Sequence, residues 1–466
     1  MIERLRALER LTRPQPEDLE AALAARWAEL PSAVKTPQQL LGRRTAGCEG
    51  THGVFPRCDL ACTPCYHGRA ANQVRVDGPH TVREVDRQMA LLRERRGPGQ
   101  HAQLIGGEVT LLGPEAHAAA LRAMITHGRK PMSMSHGDFD YEYLVALARA
   151  GNFDHLSFAG HFDSLMLGRR GLPRPSSEAD LHPFRQRFCE HFQRLEREHG
   201  VTHYLAHNMT VTPGNLGEVA DVVRAARDMG FRMFSFQPAA YIGHPARWRE
   251  KLRAITGDDV WAEIERGTGA RLHWRALQIG DPRCNRTAYG AWAGNRYVPL
   301  LDEDNPVDAR ALQAFLTTLG GMDFDVPRPL LVARLARAIA RRPGSVLAGA
   351  AWAAGFARRA RGRVRPVTYV MHSFMDAAVV APAWAHLEAG TTPADPAEVE
   401  AWERLRACSY SMAHPETGEL VPACAQHGVL DPAENERLAQ QLPMSAASRC
   451  GSPTTAGYCG DDIEIP

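Results

Sequence analysis

Ten cysteines are spread along the 466-residue chain, and three of them crowd together as Cys58-Asp-Leu-Ala-Cys62-Thr-Pro-Cys65. A loop with this C-x3-C-x2-C spacing can wrap three thiolates around one side of a metal centre. Soft thiolate donors select iron–sulfur clusters or zinc. A closed structural zinc site needs four ligands, so three close thiolates leave one position open to a substrate or cofactor. Zinc stays an alternative here, with His52 or His67 as its fourth ligand. Further along, His101-Ala-Gln-Leu-Ile-Gly106-Gly107-Glu108 reads as a short apolar strand ending in Gly-Gly-Glu. Glycines permit a bound ligand to approach the backbone closely, and the carboxylate after them could hold an ammonium group.

The cysteine triplet, the aromatic Tyr66 after its last member, and Gly106-Gly107-Glu108 at the end of the next strand together resemble the radical S-adenosylmethionine (radical SAM) superfamily. The resemblance implies that Cys58, Cys62 and Cys65 ligate a [4Fe-4S] cluster. It implies that the amino and carboxylate groups of S-adenosylmethionine chelate the fourth iron. The Gly106–Glu108 strand would meet the amino group, and Tyr66 would lie near the adenine. The implied class is an oxidoreductase served by an electron donor such as ferredoxin or flavodoxin.

Four further cysteines stand in turn-like contexts: Cys48, Cys284, Cys408 and Cys424. Thiols beside Pro, Asn and Gly are not placed like buried helical ones. Together they could ligate an auxiliary [4Fe-4S] cluster, or they are four unrelated thiols. Cys189 lies in a helical pattern and reads as core. Cys450 and Cys459 bracket a Gly/Ser/Thr/Pro-rich tail and are given no role.

The elements that position these residues follow from periodicity. Strands are expected at 54–56, 102–105, 131–135, 155–159, 203–211 and 232–237, alternating with helices at 80–96, 115–127, 140–150, 179–198 and 216–229. In the last helix Leu216, Val219, Val222, Val223, Ala226 and Met229 share one face. Asn215 is its expected cap and Glu218 its capping-box partner. Such alternation implies parallel β/α units with functional residues at strand C-terminal ends. The expected fold is therefore α/β: a partial (β/α)6 barrel over residues 46–240, matching the superfamily's barrel. A short helical segment (1–45) precedes it, and a C-terminal region (241–466) carries the auxiliary iron–sulfur ligands. Ser135, Asn208 and Gln237, at strand ends, are candidate S-adenosylmethionine contacts. His136, His161 and His372 are candidate proton carriers.

Composition narrows the class. Hydrophobic residues at 44% with 23% charged exclude wholesale disorder. A net charge of +2 does not support nucleic-acid coating, and no nucleic-acid partner is expected. No apolar run is long enough for a transmembrane helix and the first residues carry no signal-peptide pattern, so a cytoplasmic location with reduced thiols is expected. Basic charge is almost all arginine, with lysine only at Lys35, Lys130 and Lys251. Residues 326–375 hold no Asp or Glu, and ten arginines lie between Arg328 and Arg365. Basic amphipathic helices are expected over 326–366, with Arg334, Arg337 and Arg341 on one side of the first. They could contact an anionic membrane at its inner face.

The run Met371-His-Ser-Phe-Met-Asp376, with Cys408, Pro422-Ala-Cys424 and Cys48, resembles the C-terminal part of the tetraether lipid synthase group. Those radical SAM enzymes join alkyl chains through unactivated carbons. Three readings follow. The chain is a radical SAM enzyme acting on a lipid-like alkyl substrate, a radical SAM maturase of a peptide or small-molecule precursor, or a non-catalytic iron–sulfur or zinc protein.

Overall fold

The computed structural model describes residues 13–444 except 14, 64, 68, 243–254, 323 and 325. Cys450 and Cys459 lie outside the described residues. The strands in chain order are β1 (Cys48–Gly50), β2 (Ala61–Cys62), β3 (His101–Leu104), β4 (Lys130–Ser135), β5 (His155–His161), β6 (Met166–Leu167), β7 (Thr202–Val211), β8 (Met233–Pro238), β9 (Asn285–Ala293), β10 (Arg296–Pro299), β11 (Val364–His372), β12 (Tyr410–His414) and β13 (Glu419–Pro422). All but β2 and β6 share one sheet in the order β10-β9-β11-β8-β7-β5-β4-β3-β1-β12-β13.

The run from β12 through β1, β3, β4, β5, β7 and β8 to β11 is parallel throughout. The hairpin β9–β10 covers one edge and β13 the other, both antiparallel. The result is a mixed α/β structure with a curled, mainly parallel half-barrel sheet, as the alternation predicts. The strand count differs from six, because β11 and β12 extend the parallel run to eight among the described residues. Strands from both sides of residue 240 share this sheet.

Period-two alternation sets the two faces of each strand. Phe158, Leu205, Phe234, Phe236 and Tyr369 point outward and are fully buried beneath helices. Helix His182–His199 supplies Phe188, Cys189, Phe192 and Leu195 to that layer, so Cys189 is core as expected. The Phe192 ring packs at a tilt against Phe158 at 5.0 Å and Phe188 at 5.1 Å.

Several local expectations are corrected. Residues 54–56 form no strand; the first strand is Cys48–Gly50, three residues with too little sequence for periodicity to register. Helix Val219–Ala226 starts with a 3-10 turn at Leu216–Glu218, and neither expected cap serves it. Asn215 instead bonds the Thr212 N–H (2.8 Å) and donates to Glu178 Oε1 (3.1 Å), while Glu218 accepts the Glu178 N–H (2.7 Å). Tertiary partners outcompete the local cap.

Two buried polar ties brace the barrel. Glu49 on β1 meets Arg129 in a bidentate pair at 2.9 and 3.0 Å, with both side chains fully buried. His117, on helix Pro114–Thr126, contacts Tyr143 Oη (3.0 Å) and Ser133 Oγ (2.8 Å). Breaking a buried ion pair leaves an uncompensated charge. Arg129→Met is therefore expected to lower unfolding free energy by about 3–5 kcal/mol in urea titration, and a change below about 1 kcal/mol would refute the assignment. Burial pushes the His117 imidazole down to about 3. The unfolded chain binds that proton near pH 6.5 and the folded chain does not, so the stability present above that pH is lost as pH falls toward 3. His117→Gln is expected to remove about a tenfold change in the folding equilibrium per pH unit in this window.

Candidate functional site

The cysteine triplet sits beyond the C-terminal ends of the strands, and a small ribbon anchors it. Ala61 and Cys62 pair with Leu167 and Met166, and the Thr63 N–H bonds the Leu165 carbonyl at 3.1 Å. Cys58 donates its N–H to Asn72 Oδ1 (3.4 Å) and its sulfur accepts from the Leu60 N–H (3.4 Å). Burial pushes the Cys58 thiol well up, and the neighbouring Asp59, Glu108 and Cys65 push it further. A bound cation would reverse that balance, since a coordinating thiol is deprotonated outright.

The two glycines after β3 serve a purpose that spacing did not reveal. A Cβ on Gly107 would lie 1.9 Å from the Arg57 carbonyl oxygen, and one on Gly106 would lie 2.7 Å from the Phe55 ring. The Gly107 and Glu108 N–H groups bond the Phe55 (2.7 Å) and Arg57 (2.9 Å) carbonyls. The close approach is thus to the chain entering Cys58. Tyr66 Oη donates to the Gly106 carbonyl at 2.9 Å, clasping the loop from its other end.

Glu108 is almost wholly buried and its carboxylate is heavily engaged. Oε1 accepts from Thr110 N (3.0 Å), Thr110 Oγ1 (2.7 Å) and Ser135 Oγ (2.8 Å), and Oε2 from the His136 N–H (2.8 Å). His136 Nε2 in turn meets Asp59 Oδ1 at 2.7 Å. Burial lowers the His136 pKa, but Glu108 and Asp59 outweigh it and the net direction is up. This chain of contacts joins β3, β4 and the cysteine loop. Asn208 and Gln237 line the same cavity; Gln237 donates to Ser235 Oγ at 2.7 Å. His161 is held by Asp163 at 2.7 Å.

Cys48, Cys284, Cys408 and Cys424 come together although 376 residues separate the first from the last. Cys408 lies near enough for its charge to be felt by each of the other three. Cys48 opens β1 and Cys408 precedes β12 beside it, while Cys284 precedes β9 on the opposite edge of the sheet. The Met371–Asp376 run stitches them: Ser373 N–H bonds the Cys284 carbonyl (2.7 Å), and the Met375 N–H points at the Cys424 sulfur. Burial pushes Cys48 and Cys284 up to about 11, although Arg96 and Arg404 pull each down; Arg404 Nε donates to the Cys284 sulfur at 3.1 Å. Cys48 is exposed and lines the cavity. His372 is buried and its pKa falls to about 4.

Both cysteine groups open onto one mostly apolar cavity of about 2060 Å³. Its lining runs along β11 from Val364 to His372, eight residue steps, or roughly 26 Å. Phe324, Val326, Arg334 and Phe356 line its far end.

Three residues of this site carried no usable sequence signal. Arg169 is fully buried, donates to the His136 carbonyl (2.8 Å), packs on Phe162 at 5.1 Å, and leaves Nε and Nη1 without hydrogen-bond partners. Tyr410 lines the cavity with an unpartnered phenol, in space left by Gly50, where a Cβ would lie 2.2 Å from that oxygen. Asp59 stands inside the triplet but only the fold pairs it with His136.

The donor sets fit iron–sulfur ligation. Four thiols from two sheet edges and three from one loop are all soft. The zinc alternative loses His52, whose ring nitrogens are taken by Glu434 (2.9 Å) and the Ala413 carbonyl (2.8 Å). Cys58, Asp59 and His136 still offer donor atoms within 4.8 Å of one another.

No protein-family model and no curated protein matches the chain. Among solved structures it is similar to Streptococcus suis SuiB (14% identity, TM-score 0.33), covering 48% of this chain and 46% of that one. It is similar to native anSMEcpe with bound AdoMet (14%, 0.31; 47% and 57%) and to TYW1 with a lysine-pyruvate adduct bound (10%, 0.30; 45% and 70%). The chain spans about half the length of the first two.

Gly107→Ala is expected to displace residues 55–57, costing about 1–3 kcal/mol and most of the iron uptake on anaerobic reconstitution. Gly113→Ala, whose Cβ would meet nothing closer than 3.6 Å, serves as control. Equal iron content in both variants would refute the clasp.

Proposed function

We propose that the chain is a radical SAM enzyme that removes hydrogen from an unactivated carbon of an alkyl, lipid-like substrate. The single observation behind this reading is the meeting of Cys58, Cys62, Cys65, Tyr66 and Gly106–Glu108 at one end of a long apolar cavity. Cys58, Cys62 and Cys65 would hold a [4Fe-4S] cluster, and Cys48, Cys284, Cys408 and Cys424 a second. With S-adenosylmethionine bound and one electron from a ferredoxin- or flavodoxin-type donor, the first cluster would supply the reductive cleavage of the sulfonium on which hydrogen abstraction depends.

The chain's own residues do the rest. Tyr66 and the Gly106–Gly107 backbone fix the cysteine loop against β3. Glu108 and Ser135 present a rigid polar wall, and Asn208 and Gln237 add polar groups toward the strand ends, as befits a nucleoside with an amino-acid tail. The apolar lining beyond them keeps water from the reacting carbon. Its length suits an extended chain better than a compact peptide side chain.

A zinc centre on Cys58, Asp59 and His136 is the second reading. Anaerobic reconstitution followed by dithionite and S-adenosylmethionine separates the two. Release of 5′-deoxyadenosine, abolished in Cys62→Ala, is expected. Iron should approach about eight per chain and fall to about four in Cys408→Ala, matching two [4Fe-4S] clusters. Zinc in place of iron, or iron without cleavage, would overturn the proposal. Deuterium recovered in 5′-deoxyadenosine from a perdeuterated acyl phospholipid tests the substrate class.

A further inference from the structure

The helices Arg328–Arg341 and Gly344–Arg359 present an unusual face. The sequence puts Arg334, Arg337 and Arg341 on one side of the first, in reach of an anionic membrane. Instead Arg334 turns inward and lines the cavity, while Val332 (65% exposed), Ala336, Ile339 and Ala340 face out. On the second helix Leu347 is 77% and Val346 48% exposed. The exposed large apolar side chains among the described residues are Ile125, Tyr241, Phe315, Phe324, Val332, Ile339, Val346, Leu347, Val364 and Val379. Seven of these ten lie between Phe315 and Val364. Such concentration marks an interaction surface rather than scattered exposure.

Charge identifies the partner. Arg328, Arg341, Arg342, Arg358, Arg361 and Arg363 are exposed beside this apolar face, in a stretch without a single acid. An apolar patch with guanidinium groups at its margins matches the interface of an anionic bilayer, with acyl chains beneath phosphates. Nucleic acid would satisfy the charges and leave the valines and leucines in water. The same segment reaches the cavity: Phe324 and Val364 line it and are also exposed, so the cavity opens there. No helix among the described residues is long and apolar enough to cross a membrane, so the contact is one of lying on the surface.

We propose that the Arg328–Arg359 helical pair docks on an anionic phospholipid bilayer and sets the cavity mouth at Phe324 and Val364 against the lipid. An alkyl chain then enters from the end of the barrel opposite the cysteine triplet. The docking stands on the surface alone; the entry of the chain rests on the proposed function.

The test is flotation of the full chain with phosphatidylcholine vesicles, with and without phosphatidylglycerol. Binding only to the anionic vesicles is expected, weakened by salt. Each arginine near such a surface contributes about fivefold, so Arg341→Glu with Arg342→Glu should lower partitioning at least about twentyfold. Val332→Asp with Leu347→Asp should do the same with an unchanged circular dichroism melt. Anionic binding that survives both double variants would overturn the proposal, as would no wild-type binding. So would a wild-type dimer that Val332→Asp with Leu347→Asp turns monomeric while vesicle binding persists, which would make the patch an interface between copies. Release of 5′-deoxyadenosine without lipid is read separately. Its loss in the wild type would sink the enzymatic reading and leave the docking intact, while vesicle failure with cleavage retained would do the reverse.

Discussion

An open parallel sheet has two edges, and both must be satisfied before its interior can serve as a reaction chamber. Here each edge is capped by an antiparallel strand, and the capped edges meet through side chains rather than through a closing ladder. Cys284 arrives from the β9–β11 side; Cys48, Cys408 and Cys424 arrive from the β1–β12 side. The buried Gln39 reinforces the junction, donating to the Gly280 carbonyl at 2.9 Å and accepting the Gly280 N–H at 2.8 Å. A metal centre across these thiols would clip together chain segments far apart in sequence, where closure entropy is largest. Loading and completion of the barrel would then be a single linked event.

The same incomplete closure explains the shape of the interior. A closed eight-stranded barrel fills its centre with side chains. The half-barrel instead leaves a chamber running the length of β11, with Glu108, Ser135, Asn208 and Gln237 at the strand C-termini, His101, Lys130, His155 and Arg232 at the N-termini, and a mostly apolar wall between them. The glycines after β3 belong to this economy of space: they let the chain entering Cys58 lie against the strand end, so the cysteine loop roofs the chamber instead of standing off from it.

Much of this was legible in the residues. Strands β3, β4, β5, β7 and β8 and their helices announce themselves because apolar periodicity is local. The triplet and Gly-Gly-Glu are legible because each is a short local motif, and the fold packs one against the chain entering the other. What escaped was nonlocal. β1 is too short to show a period, and β11 and β12 follow helical stretches that interrupt the alternation. Asn215 and Glu218 looked like caps but are recruited by Glu178, a partner distant in sequence. Arg169 and Tyr410 lie in stretches where no pattern marks them, and only the folded chain brings Arg169 to the His136 carbonyl and Tyr410 to the cavity. The amphipathic character of the basic helices over 326–366 was visible, but their orientation was not, because sequence alone does not say which face meets the barrel.

The chain's near-total reliance on arginine has a consequence for its basic face. Between residues 326 and 375 every cation is a guanidinium and none is a lysine. A guanidinium does not titrate at any pH a cell reaches, and it offers no amine to acetylate. The positive charge of this surface is therefore a constant of the molecule. Acidification and lysine-directed modification leave it untouched, and only ionic strength, through screening over about 8 Å at physiological salt, can turn it down.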